Sequence, residues 1–325
     1  MSFLDFVKSQ RQHVPIVPTP SDCNGGTYIV IGANTGLGYE CVKHLVRLSA
    51  VRVIMGVRSL SKGDAAKAQI EAETGIKGVA EVWHIDLTSY DSVKEFADRV
   101  KRLDRVDGVV ENAAIAMANQ TFSEGLETSL TVNVISTLLL AVLVLPKLQE
   151  SAKKYGISPR LAAVGSGVAF SVKGELEKSN GDVLDAVSAD GGNMSKRYPV
   201  SKLLELYAIR QLALLRPVSE TGVTINYVNP GFCKTELSRN AGFILWAILG
   251  IMKIFLGRTA EVGSRTLLHA GVAAGKDSHG KYVSECEIKE GQVAPWVTDD
   301  AGAKMQNRVW ESVSKKLNII QPGCI

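Results

Sequence analysis

Cysteine is scarce in this chain, and the few that occur stand apart. Cys23, Cys41, Cys233, Cys286 and Cys324 form no Cys-x-x-Cys pair and have no histidine at zinc-ligand spacing, and their odd number argues against a disulfide framework. A reducing compartment is expected, the cytoplasm by default, with no metal site. Sustained Lys/Arg blocks are also missing. The formal net charge of +4 comes from basic residues dispersed along the chain, so neither nucleic acid nor an anionic membrane is an implied partner. The most apolar run, Ala241 to Leu256, is shorter than a membrane span and is interrupted by Lys253. It reads as a buried or substrate-covering helix, and no stable membrane span is expected. Residues 1–26 lack the apolar centre of a signal peptide, because Lys8, Arg11, Gln12 and His13 break it. Cys324 stands one residue from the end, whereas prenylation needs the fourth from the end, so no lipid anchor is expected.

What is present is ample apolar content, 46% of 325 residues, enough for one large core. After an N-terminal extension, 1–26, whose Pro15, Pro18 and Pro20 suit an extended arm, strand-like and helix-like segments alternate. Strands are expected from near Thr27 to Gly32 and at Val51 to Val57, Val79 to Asp86, Val106 to Glu111, Leu161 to Gly165 and Val223 to Val228, with a last edge strand at Lys281 to Ser284. Helices are expected between them: Tyr39 to Leu48, Lys62 to Glu73, Asp91 to Leu103 with Asp91 as N-cap, Leu126 to Leu148 and Tyr198 to Leu215. A terminal helix is expected over Asp299 to Leu317. This period predicts an α/β protein, a single-domain Rossmann fold over 27–325, with a doubly wound parallel sheet of about seven strands and helices on both faces.

The first βα connection carries glycines at Gly32, Gly36 and Gly38. Glycines there let the backbone turn sharply and approach a ligand, while the helix N-terminus offers free N–H groups to a pyrophosphate. The spacing is Gly-x3-Gly-x-Gly and not Gly-x-Gly-x-x-Gly, so taken alone the turn also fits a tight connection with no ligand. Past the second strand, the place of a ribose-binding carboxylate is taken by Val57-Arg58-Ser59. Arg58, helped by Lys62, suits a 2′-phosphate and favours NADP over NAD; the alternative is an ordinary solvated charge. Asp86 suits an adenine amino group or a helix N-cap equally.

Tyr198-Pro-Val-Ser-Lys202 sets a phenol and an ammonium four residues apart, on one face of a helix. A neighbouring cation brings a phenol toward the range of a working acid/base. Such a pair is common by chance, and its weight comes from the glycine turn and from Ser166 at the end of the fifth strand, where ligands of such sheets bind. Asn133 lies in the long helix, either as a packing residue or at a kink that frees a carbonyl for water.

In this order the residues resemble the short-chain dehydrogenase/reductase superfamily, over roughly Thr27 to Thr235. Gly32, Gly36 and Gly38 match its turn, Asn112-Ala113-Ala114 its Asn-Asn-Ala-Gly segment, and Asn133, Ser166, Tyr198, Lys202 and Pro230-Gly231 with Thr235 its later motifs. The resemblance implies NADP(H) held at Gly32, Asn34, Thr35, Gly36, Leu37 and Gly38, at Asp86 and Leu87, and at Asn112 and Ala113. It adds Pro230, Gly231 and Thr235, the last on the carboxamide. Tyr198 is implied as proton donor/acceptor, Ser166 as the group orienting the substrate oxygen, and Lys202 as the ribose ligand that lowers the tyrosine pKa. Asn133 is implied to hold a relay water. Glu111 and Ala114 depart from the Asn-Asn-Ala-Gly pattern and Ile31 from its usual threonine, which reads as sheet support more than chemistry. The Lys173 to Lys196 insertion is expected as a flap beside the cleft.

Arg58 and the chain length look most like retinol-dehydrogenase-like enzymes and fungal reductases of secondary metabolism. Phe243, Ile244, Leu245, Trp246, Ile248 and Phe255, in the segment 236–260, suit either a cover over a hydrophobic small-molecule substrate or plain core. The implied activity is NADPH-dependent interconversion of a carbonyl and an alcohol. The alternative is a cyclase, isomerase or sensor of the same fold. A homodimer through the helices at Leu126 to Leu148 and Tyr198 to Leu215 is the family's habit.

Overall fold

The protein is described by a computed structural model covering residues 3–191, 194–235 and 256–325. In chain order its main elements are α1 (Phe3–Arg11), β1 (Thr27–Ile31), α2 (Gly36–Arg47), β2 (Arg52–Val57), α3 (Leu60–Thr74), β3 (Ala80–His84), α4 (Tyr90–Lys101) and β4 (Gly108–Glu111). Next come α5 (Thr137–Tyr155), β5 (Arg160–Val164), α6 (Val183–Ala189), α7 (Met194–Leu215), β6 (Thr224–Asn229), α8 (Ala260–Leu268), β7 (Tyr282–Ser284), β8 (Glu287–Ile288) and α9 (Asp300–Ile320). The sheet runs β3-β2-β1-β4-β5-β6-β7-β8 and is parallel except for β8, which pairs antiparallel with β7. The expected last edge strand is therefore present but not at the edge. Every residue of β1 and β4 is buried, because helices cover both faces and no polar side is left to alternate. The strand order reverses between β1 and β4, so their carboxyl ends open the crevice in which ligands of such sheets sit.

Several boundaries differ from the sequence expectations for local reasons. The first helix after β1 starts at Gly36 and not Tyr39, since glycine at its first turn is tolerated where the chain packs closely. Ser89, whose hydroxyl accepts from the Ser92 N–H, caps α4, so Asp91 is an ordinary first-turn acid. The expected long helix from Leu126 is divided. Leu126–Glu127 pairs with Phe122–Ser123 as a hairpin, and a π-helical turn at Thr131–Ser136 leads into α5. Together Thr128–Tyr155 is long and apolar enough to cross a membrane by composition, yet its most apolar stretch is wholly buried in the protein core. The insertion is not a flap. Leu176, Val183, Leu184 and Val187 are buried, the Leu184 N–H bonds Ser312 of α9 and the Glu127 N–H bonds Ser188, so α6 is a wedge between the hairpin and the terminal helix. The proposed substrate-covering residues Phe243 to Phe255 lie outside the described residues.

The N-terminal arm is not simply extended. Its α1 lies on the loop that leaves β6. Gln10, 8% exposed, accepts from the Phe232 N–H at 3.0 Å and donates to the Phe232 and Leu256 carbonyls at 2.9 and 3.0 Å. Arg258 donates to the carbonyls of Ser9 and Pro230 and pairs with buried Glu285. This clasp fixes both Phe232 and Leu256, two backbone positions far from Gln10 in sequence. Gln10→Ala strands those backbone groups and is expected to cost about 2 kcal/mol, with Gln10→Glu, which keeps the acceptor, costing less. Urea denaturation of the two variants checks this.

Candidate active site

β1 ends in a turn that only glycine fits. Gly32 has φ +74° and Gly36 φ +60°, in the left-handed region. A Cβ on Gly38 would overlap the Gly32 carbonyl and lie 2.7 Å from the Asn112 amide nitrogen, and one on Gly32 would press on Ala113 at 3.0 Å. Asn112 donates to the Ile31 and Gly32 carbonyls at 3.1 and 3.2 Å, tying β4 to the turn. The first N–H groups of α2 therefore face the crevice, and its N-cap Thr35 makes no side-chain cap. Asn34 and Leu37 are partly buried beside them, and Thr35 is exposed. Thr235, from the loop after β6, comes to 3.5 Å from where a Gly36 Cβ would be, so the turn and the Pro230–Gly231 loop meet. The cradle fits a pyrophosphate.

On the far side, Arg58 is exposed directly after β2 and makes no ion pair or hydrogen bond among the described residues. Lys62 is exposed in the first turn of α3, its N–H capped by Ser59. Asp86 lies two residues past β3. One of its oxygens accepts from the N–H and hydroxyl of Thr88 at 2.9 and 2.8 Å, closing a turn, while the capping of α4 falls to Ser89. Leu87 is buried, its carbonyl held by the Ser136 hydroxyl at 2.7 Å.

Tyr198 and Lys202 share a face of α7, with the ammonium 6.0 Å from the centre of the phenol ring. Ser166, one residue past Gly165 at the end of β5, lies beside the phenol, close enough to favour its ionised form. Tyr227 underpins this contact: its hydroxyl accepts from the Ser166 N–H and donates to the Lys202 carbonyl, both at 3.0 Å. Any Cβ on Gly165 would penetrate the Tyr227 ring, so that glycine is required by packing. Asn133 sits in the π-helical turn, fully buried. Its side chain accepts from the Ile115 N–H at 2.9 Å and donates to the Ile115 carbonyl and the Ser201 hydroxyl at 2.9 and 3.0 Å.

Lys202 is not only the neighbour of Tyr198. It is 2% exposed and donates to the Val164 carbonyl at 2.8 Å and to Glu205, itself 1% exposed, at 2.7 Å. Burial disfavours its ammonium, but Glu205 and Tyr198 outweigh this and hold it charged above its usual range. Burial raises Glu205 to about 7 against the pull of Lys202. Glu111, whose oxygens make no hydrogen bond among the described residues, is pushed well up by burial and then by the charge of Glu205. The departure at Glu111 therefore bears on the charge at Lys202, while sheet support comes from Asn112. Tyr198 also differs from expectation: burial raises it, and although Lys202 and Ser166 pull it back, Glu205 pushes it further up.

With the geometry in place, the comparisons are decisive. A family profile described as short chain dehydrogenase matches residues 27–170. The short chain dehydrogenase/reductase dmxR8 of Cryptosporiopsis sp. is 44% identical over 316 residues, covering 94% of this chain and 95% of that protein. The chain belongs to the short-chain dehydrogenase/reductase family. A second relative, the short-chain dehydrogenase anuD of Penicillium roqueforti, is 37% identical over 333 residues, 99% of this chain and 85% of that protein. Among solved structures, the RhlG/NADP active-site complex of Pseudomonas aeruginosa has the same fold, with a TM-score of 0.61 at 21% identity, covering 82% of this chain and 97% of that one. This short-chain dehydrogenase/reductase is an oxidoreductase of a family that uses NAD(P)H.

The glycine cradle, which any Cβ would fill, fits that dinucleotide. Bound there, it supplies or accepts a hydride. Beside it the chain sets a hydroxyl at Ser166 that can hydrogen-bond an oxygen, a phenol at Tyr198 that can give or take a proton, and an ammonium at Lys202 that bears on the charge of the phenol. Sequence reasoning missed Tyr227 and Glu205. The only signal for Tyr227 was the glycine at 165, and Glu205, three residues past Lys202, looks like one half of a surface ion pair.

Because burial raises Glu205 above its unfolded value, its share of stability is present below about pH 4.5 and is lost as the pH rises through about 7. Relative to Glu205→Gln, the parent is expected to lose stability between about pH 5 and about pH 8. Parallel denaturation curves at those two pH values test this; a constant difference between the two proteins would refute it.

Proposed function

We propose that this enzyme uses NADPH to interconvert a carbonyl and an alcohol on a hydrophobic small molecule, of the secondary-metabolite or lipid-like kind, with Tyr198 as proton donor and acceptor. The observation that carries the reading is the convergence of Ser166, Tyr198 and Lys202 at the carboxyl end of the same sheet that bears the glycine cradle. Selection of NADP rests on Arg58, whose planar guanidinium is unpaired among the described residues at the end of β2, where a carboxylate would repel a 2′-phosphate. Lys62, one turn into α3, adds a second cation on the same side. The apolar character of the substrate is supported by the Phe243 to Phe255 segment of the sequence, and the cytoplasm by the isolated free cysteines.

Removing the phenol hydroxyl alone separates redox catalysis from a non-redox role. Tyr198→Phe should cut NADPH oxidation with a panel of apolar ketones by roughly 10²- to 10⁴-fold while leaving NADPH binding in place. Turnover that survives would sink the mechanism. For the cofactor, Arg58→Asp should weaken NADPH by at least about tenfold, the loss of one charge-assisted contact, and leave NADH nearly unchanged. Fluorescence titration with both dinucleotides reads this, and equal weakening of the two would remove Arg58 from the phosphate site.

A further inference from the structure

Lys202 is buried with two carboxyl groups that its role beside Tyr198 does not call for. Glu205 lies three residues on along α7, where a lysine–glutamate pair ordinarily faces solvent, yet both are sealed by the sheet. The ends of the strands supply the walls. Val164 of β5 gives its carbonyl to the ammonium, Glu111 ends β4, and Tyr227 of β6 holds the Lys202 carbonyl. Glu111 has no hydrogen-bond partner for either oxygen among the described residues and is close enough for the charges of both Glu205 and Lys202 to act on it. The titratable groups facing Glu205 are thus Lys202 and Tyr198 on its own helix, Glu111 across from β4, and Tyr227 from β6.

Two carboxylates and one ammonium in a closed space would leave an unpaired buried charge, which costs several kcal/mol. The arrangement that avoids it keeps the proton on Glu111 and pairs ionised Glu205 with Lys202. A charge of each sign then acts on the phenol: Lys202 favours the phenolate and Glu205 opposes it. We infer that Glu205 is a positioning residue, with Glu111 as its protonated companion, that anchors Lys202 and keeps Tyr198 a phenol. The donor of a proton to a newly formed alkoxide must be in that protonated state, so the pair sets the pH up to which carbonyl reduction proceeds. The inference rests on Tyr198 being the proton donor.

Tyrosinate absorbance of the full-length protein, titrated with and without Tyr198→Phe, isolates the ionisation of Tyr198 and needs no turnover. In Glu205→Gln the Tyr198 midpoint should fall by about one pH unit, the scale of a lost neighbouring charge, and the alkaline limb of the NADPH-dependent reduction should move down with it. Glu205→Asp, which draws the carboxylate back from Lys202, should give a smaller fall in the same direction, and it decides the matter if the glutamine variant does not fold. A midpoint unchanged in the variants that fold overturns the inference. Should Tyr198→Phe retain turnover, the proton-donor reading fails on its own, and the titration still decides what Glu205 does to the phenol.

Discussion

A parallel sheet covered on both faces leaves one place where polar groups and a ligand can meet, the carboxyl ends of its strands. Everything chemical in this enzyme depends on that restriction. The chain leaves the ends of β1 and β4 in different directions because the strand order reverses there, and the turn after β1 is packed so closely that Gly38 lies directly on the Gly32 carbonyl. The same crowding at β5 and β6 requires Gly165 to lie on the ring of Tyr227, which in turn fixes the backbone at both Ser166 and Lys202. Glycine therefore serves two ends of one crevice for one reason: backbone there must come closer than a side chain permits.

The alternation of strands and helices, the glycine turn and the positions of Tyr198, Lys202 and Ser166 were legible in the sequence because each leaves a local trace. β-branched runs mark buried strands, and a phenol and an ammonium four apart mark one helix face. What was not legible depends on tertiary position. Glu205 differs from a solvated surface acid only in that α7 turns that face into the sheet. Tyr227 reads as one more apolar residue of a buried strand until its hydroxyl finds two backbone partners. The hairpin at Leu126–Glu127 was hidden for a similar reason, since its apolar residue continues the pattern of the helix beyond it.

The N-terminal segment shows how far local composition misleads. Prolines at 15, 18 and 20 suit an extended arm, and the stretch after α1 is in part such an arm. Yet Val14 gives its carbonyl to Arg265 and Pro15 to the Cys286 thiol, while Gln10 clasps the Phe232 peptide from both sides. The loop so held leads from Pro230–Gly231 to Thr235, which reaches the glycine turn. Residues outside the alternating α/β pattern thus shape one wall of the cofactor crevice, through backbone contacts that carry no sequence motif.

Burial and acidity are linked at the centre of the site in a way that pairwise rules do not convey. A lysine beside a tyrosine lowers the phenol pKa, but crowding the phenol with protein raises it, and here the loss of water is the larger effect. The protein cannot bury the ammonium without a counter-charge, and the counter-charge it uses, Glu205, acts on the tyrosine with the opposite sign to Lys202. Glu205 itself is raised by burial, and its charge in turn pushes up the second carboxyl at Glu111. The acidity of Tyr198 is therefore a property of a four-residue cluster spanning one helix and the end of one strand. Glu111 bears on the phenol only at second hand, through Lys202, the cation that faces them both.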